Sequence, residues 1–191
     1  MIHWFKDVGS DHLALVGGKG ANLGECATAG FPVPPGFIID TSAYTTATKA
    51  IQGELIAAVD KQDIEQAQQL VRSVTIPADL RAEVEQADAA LGDRARVAVR
   101  SSATAEDLAE ASFAGQQDSY LGITGVDALW DAVRRCWASL WNERAVSYRR
   151  KHGVPSEGLA LAVVVQTMIS SDVSGVLFTR NPMADNTDMM I

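Results

Sequence analysis

Cysteine and histidine are scarce in this chain of 191 residues. Cys26 and Cys136 stand far apart with no CxxC pair, so neither a disulfide framework nor a zinc cluster is indicated, and a reducing cytoplasm is the expected compartment. His3, His12 and His152 share no metal-ligand spacing, and no Ser or Cys joins them in a recognisable triad, which leaves no basis for metal or covalent catalysis. No stretch reaches membrane-spanning length, and the N-terminus lacks the basic start and apolar run of a signal peptide. Basic residues are outnumbered, with 16 Lys and Arg against 24 Asp and Glu, and the formal charge of -8 opposes non-specific attraction to nucleic acid or anionic membrane. An anionic ligand must therefore meet a local basic site.

What is present is enough apolar material for a core: 47% of residues are hydrophobic, which at this length predicts one domain or two small lobes. The segment Val16-Gly17-Gly18-Lys19-Gly20 leads into a short helix from Ala21 that Gly30 should stop. Pro32, Pro34 and Pro35 force the next segment to be extended, and it should run into a strand at Phe37–Ile39, with Thr41 as N-cap of the following helix. From about Ser42 to Leu91 the pattern is helical, with Pro77 placed for the first turn of the last helix. Arg96–Ser102 reads as a strand, the stretch to Gln117 as a loop, and Asp118–Ile123 as another short strand. Apolar residues from Val126 to Tyr148, including Trp130, Trp137 and Trp141, recur in steps of three and four and predict one continuous helix. Its basic end, Arg144, Arg149, Arg150 and Lys151, reads as a solvated helix terminus in preference to an anion site. Leu159–Met168 and Gly175–Phe178 are continuous apolar runs, typical of strands buried on both faces.

Four features could carry ligand chemistry, and each has a plainer reading. Gly17-Gly18-Lys19-Gly20 would let backbone N–H groups approach a phosphate beside a lysine, but it lacks P-loop spacing and on its own reads as a tight structural turn in preference. Arg100 lies in an apolar strand and needs either an internal carboxylate or a phosphate. The loop from Ala111 to Ser119, with Gly115 at its centre, suits a phosphate lid or an ordinary turn. Gln166 and Met168, at the end of a Val-rich strand, suit core packing or an adenine pocket.

In order along the chain, VGGKGANLGE (16–25), GFPVPPGF (30–37), AVRSSATAEDL (98–108), ASFAGQQDSYL (111–121), CWASLWNERAVSYR (136–149), LAVVVQTM and SGVLFTRNP resemble the N-terminal ATP-grasp domain of the phosphoenolpyruvate synthase, pyruvate phosphate dikinase and rifampin phosphotransferase family. The resemblance spans nearly the whole chain except 45–94. It implies an α/β (α+β) lobe, a mixed sheet covered by helices, and a helical insertion at about 42–91. It further implies that Lys19 and Arg100 hold ATP phosphates, that the loop from Gly115 to Ser119 closes over them, and that Gln166 and Met168 line the adenine pocket. In the family a phosphoryl group passes from ATP through a histidine on a mobile domain to pyruvate or to rifampin, with Mg²⁺ neutralising charge. The Mg²⁺ ligands, the second half of the cleft, the phosphohistidine and the acceptor site are expected outside this chain, so the fragment alone is expected to be inactive. The segments around Trp137, Glu143 and Val163–Gln166 lean towards the rifampin branch. The competing expectation is a free-standing, non-catalytic module that binds nucleotide or a partner protein.

Overall fold

The computed structural model describes residues 1–103 and 119–177. Five strands, β1 (Ile2–Trp4), β2 (Gly36–Ile39), β3 (Val97–Ala103), β4 (Ser119–Ile123) and β5 (Leu161–Thr167), form one sheet in the order β1-β2-β5-β3-β4. The expected combination of sheet and helices is present. Among the described residues, however, every strand pairing is antiparallel, so the sheet is not mixed there.

Strand alternation divides the sheet into two faces. Phe37, Ile39, Val97, Val99, Leu161, Val163 and Val165 face the larger core, built with α2 (Thr41–Thr48), α3 (Gln52–Asp60), α4 (Ile64–Arg72), α5 (Ala78–Ala90) and α6 (Val126–Ser139). Ile38, Ala162 and Val164 point the other way, towards Phe5, Val8 and α1 (Leu13–Thr28). β5 is the expected strand buried on both faces, since all five residues from Leu161 to Val165 are buried. The second apolar run does not behave alike: residues 175–177 are not strand, and Val176 and Leu177 are exposed, because no described strand lies alongside to pair with them.

Local signals explain several helix ends. Gly30, at φ 83°, follows the C-cap of α1, and the bonds Gly30 N to Ala27 O and Phe31 N to Cys26 O complete a Schellman motif. α2 is capped by Asp40, not by Thr41, which is its first helical residue. The Asp40 carboxylate accepts from the N–H groups of Ser42 and Ala43 and also pairs with His3 Nε2 at 2.9 Å, a bond no reading of the helix alone supplies. Asp40→Ala is therefore expected to cost about 1–2 kcal/mol of stability, read by denaturant unfolding. A loss of only a few tenths would show that the cap and the His3 pair contribute nothing. Pro77 sits one residue earlier than expected, as the N-cap of α5, where its ψ of 140° keeps it extended.

The predicted continuous helix over Val126–Tyr148 is two, α6 and α7 (Glu143–Lys151). Apolar spacing persists across the junction, but Asn142 Oδ1 accepts the Ala145 N–H at 2.7 Å and starts a new helix. Arg149 is also not the solvated helix end expected. It is 4% exposed, donates through Nη2 to Leu140 O at 2.7 Å, and lies over the Trp141 ring at 5.2 Å. The tertiary fold thus uses a residue of α7 to satisfy the C-cap carbonyl of α6. Burial pulls the Arg149 guanidinium down to about 10, which still leaves it charged at neutral pH.

Beside it, Trp141 Nε1 donates to the Tyr44 hydroxyl at 2.8 Å, and burial pushes the Tyr44 phenol up to about 12. An unfolded tyrosine titrates near 10, so the contribution of a neutral Tyr44 to stability is full below about pH 10 and is lost as pH rises through 12. The depressed Arg149 acts with the opposite sign above pH 10, so phenolate absorbance is the cleaner measurement. Subtracting the titration of Tyr44→Phe should isolate one step near pH 12; a step near 10 would show that the phenol is not desolvated.

Candidate functional site

The glycine segment sits within α1 and not ahead of it. The helix begins at Leu13, breaks at Gly17 with φ 70° and ψ 172°, and resumes. A glycine-rich turn therefore does feed a helix start, but a turn of helix precedes it. Two constraints require glycine at 17: the positive φ, and a Cβ that would lie 2.3 Å from Ser102 O of β3. The buried Ser102 hydroxyl donates to Val16 O at 2.8 Å and accepts from Gly20 N at 3.1 Å. These bonds bracket Gly17, Gly18 and Lys19, and Lys19 is half-buried.

β3 brings Arg100 to the same side. Alternation from Ser102, which touches α1, places Arg100 and Ala98 on the α1 face, while Val97 and Val99 enter the opposite core. Arg100 is half-buried, and among the described residues no carboxylate or carbonyl pairs with its guanidinium. Register sets it opposite Val164 of β5 and Ser119 of β4, and Ser119 is exposed. Directly paired residues share a face, so Ser119 joins Arg100 on the α1 side. Gly115 lies outside the described residues.

Gln166 is on that face too, paired with Ala98 and Gly36, and its Nε2 donates to Pro34 O at 3.3 Å. Met168 lies one residue past the end of β5, not within it. Its N–H donates to Arg96 O at 2.8 Å, and its sulfur accepts the Gly122 N–H at 2.9 Å. The end of β5 is thereby tied to the extended proline segment on one side and to β3 and β4 on the other. The sheet face gathers Arg100, Ser119 and Gln166 beside the glycine turn of α1; Met168 stands at its margin. Sequence reasoning gave Ser102 no role. Its only signal was a small hydroxyl residue in an apolar strand, two positions beyond the arginine and so on the same face.

Among the described residues no three His, Cys, Asp or Glu side chains gather as a metal site. The histidines are engaged separately: His3 with Asp40, His12 through Nδ1 with the Gly9 N–H, and His152 stacked on Tyr148. Among the described residues no helix is long and apolar enough to cross a membrane.

The family described as pyruvate phosphate dikinase, AMP/ATP-binding domain, matches residues 13–191. The chain is 40% identical to a phosphoenolpyruvate synthase of Pyrococcus furiosus over 97% of its own length, and 42% identical to one of Aeropyrum pernix over 100%. It is also 42% identical to a rifampicin phosphotransferase of Streptomyces sviceus over 95%. It spans 29%, 26% and 22% of these three relatives respectively, about a quarter of a much longer protein. A family match over residues 13–191, with identities of 40% and 42% over 97% and 95% of the chain, shows that the chain belongs to the pyruvate phosphate dikinase AMP/ATP-binding domain family.

Proposed function

We propose that this chain is the N-terminal part, residues 1–191, of the ATP-binding domain of a dikinase-type phosphotransferase, with the helices at about 42–91 inserted in it. The whole enzyme would pass a phosphoryl group from ATP through a phosphohistidine to pyruvate or to rifampin, releasing AMP and phosphate. The near-equal identity to relatives named for each acceptor keeps both in the reading. The observation that carries the proposal is Arg100, a half-buried guanidinium without an ion-pair partner among the described residues, on the sheet face that bears the glycine turn. Such a group is available to anionic oxygens, which it can grip bidentately.

In this reading Lys19 adds a point charge to the fork of Arg100, and backbone N–H groups of the Gly17–Gly20 turn complete the phosphate cradle. The 115–119 segment covers it, and Gln166 with Met168 borders the adenine. The protein's part in the transfer is positioning and charge neutralisation, with little covalent work. None of the three histidines is assigned as the phosphohistidine, which together with the second half of the cleft and the acceptor site is supplied from elsewhere. Mg²⁺ would neutralise phosphate charge, and in this reading its ligands lie outside this chain. The compartment is taken as the cytoplasm, consistent with two free cysteines.

Calorimetric titration of the chain with ATP, ADP and AMP tests the site. Affinity is expected to fall by about tenfold or more from ATP to AMP, since contacts to charged oxygens contribute roughly 1.5–3 kcal/mol each. Equal affinity for all three nucleotides would place the phosphates away from Lys19 and Arg100 and overturn the assignment.

A further inference from the structure

Val16 O and Gly20 N are the acceptor and donor that an unbroken α-helix would join directly, four residues apart. In α1 both are also bonded to one side chain of β3. The Ser102 hydroxyl bridges them, donating to Val16 O at 2.8 Å and accepting from Gly20 N at 3.1 Å. The kink of α1 falls inside this bridge, at Gly17. The hydroxyl is completely buried, and its single proton and one of its lone pairs are both committed. Ser102 therefore ties both sides of the kink to β3. Gly17 admits the close approach, because any Cβ there would meet Ser102 O, C and Oγ within 2.6 Å.

We propose that Ser102 is a positioning residue for phosphate binding. By bridging Val16 O and Gly20 N it sets the turn that carries Lys19 in register with Arg100, two residues before it on the same strand face. The inference rests on the phosphate-site reading above. Without the hydroxyl, Val16 O and Gly20 N lose the partner that ties them to β3, and the turn is free to shift Lys19 relative to Arg100. The hydroxyl itself touches no nucleotide.

The test is a double-mutant cycle on the chain, with ATP and AMP affinities measured by calorimetry for wild type, Lys19→Ala, Ser102→Ala and the double variant. Ser102→Ala is expected to weaken ATP binding about tenfold with AMP affinity changed less than about twofold, and the double variant should bind ATP no more than about twofold worse than Lys19→Ala. That selectivity for the triphosphate is what a merely structural serine would not produce. If Ser102→Ala weakens ATP and AMP alike, or its effect multiplies that of Lys19→Ala, the positioning role is overturned while the phosphate site stands. If Lys19→Ala matches wild type, including the case where a folded chain binds no ATP, the phosphate reading fails and this inference with it. Should Ser102→Ala not fold, Ser102→Cys, which fills the site but is a weaker hydrogen-bonding partner, should show an intermediate loss confined to ATP; no such loss would overturn the role.

Discussion

Arg100→Ala is expected to weaken ATP binding by roughly 30- to 4,000-fold while shifting the unfolding midpoint by no more than about 2 °C. The first figure follows from removing one partner of a partly desolvated charge pair, which costs about 2–5 kcal/mol, at 1.4 kcal/mol per tenfold. The second follows from the absence of a paired carboxylate: among the described residues no group is left unsatisfied when the guanidinium goes. Arg100→Lys should recover only part of the affinity, because an ammonium cannot reproduce the bidentate fork. Calorimetric titration and a thermal melt of the same samples decide the matter. Unchanged affinity, or a large loss of stability with affinity retained, would make Arg100 a structural charge.

The largest effect on stability is expected from Trp137→Ala, at about 3–5 kcal/mol, which for a chain of this size lowers the midpoint by roughly 6–20 °C. Trp137 is fully buried on α6, edge-on to Tyr44 of α2 at 5.8 Å and tilted against Trp130 at 6.3 Å. It therefore joins the helices at about 42–91 to the helix that covers the sheet, and no rearrangement of small neighbours can refill an indole-sized cavity. Against a total stability of about 5–15 kcal/mol the variant stands close to unfolding at ambient temperature. A loss under about 1 kcal/mol, read by denaturant unfolding, would mean that the helices at 42–91 do not share a core with α6.

These two residues also mark how differently the parts of the fold are written in the sequence. Trp137 was legible because it repeats at helical spacing with Leu129, Trp130 and Val133, a pattern contained in a few turns. The exact course of that helix was not: the same spacing runs on through Leu140 and Trp141, and the break depends on the Asn142 cap, which competes with continuation only once α7 has somewhere to pack. Arg149 was misread for a related reason. Basic residues at a helix end usually face water, and nothing local says that the carbonyl of Leu140 and the ring of Trp141 lie within its reach.

Of the candidate site, Lys19, Arg100 and Gln166 were legible as residue types in suggestive settings, each with a plainer alternative, and the ordered motifs tipped the reading towards nucleotide. The family comparison bears out the ATP-binding domain, while the individual contacts await the titrations described above. Ser102 was invisible as a functional residue because its partners, Val16 and Gly20, are some eighty positions away and are backbone atoms, which carry no side-chain signature.

By itself the sequence determined what depends on neighbours along the chain: the extended proline segment, the Gly30 stop of α1, the helices at 42–91 and the doubly buried β5, because backbone sterics and short-period apolar patterns act over a few residues. Only the tertiary structure decided the strand order β1-β2-β5-β3-β4, the antiparallel direction of its pairings, and the bonds of Ser102 to α1. Those depend on which distant backbone groups meet when two faces of apolar side chains are buried together, and many pairings satisfy the same local pattern until the whole sheet and its helices close around one arrangement.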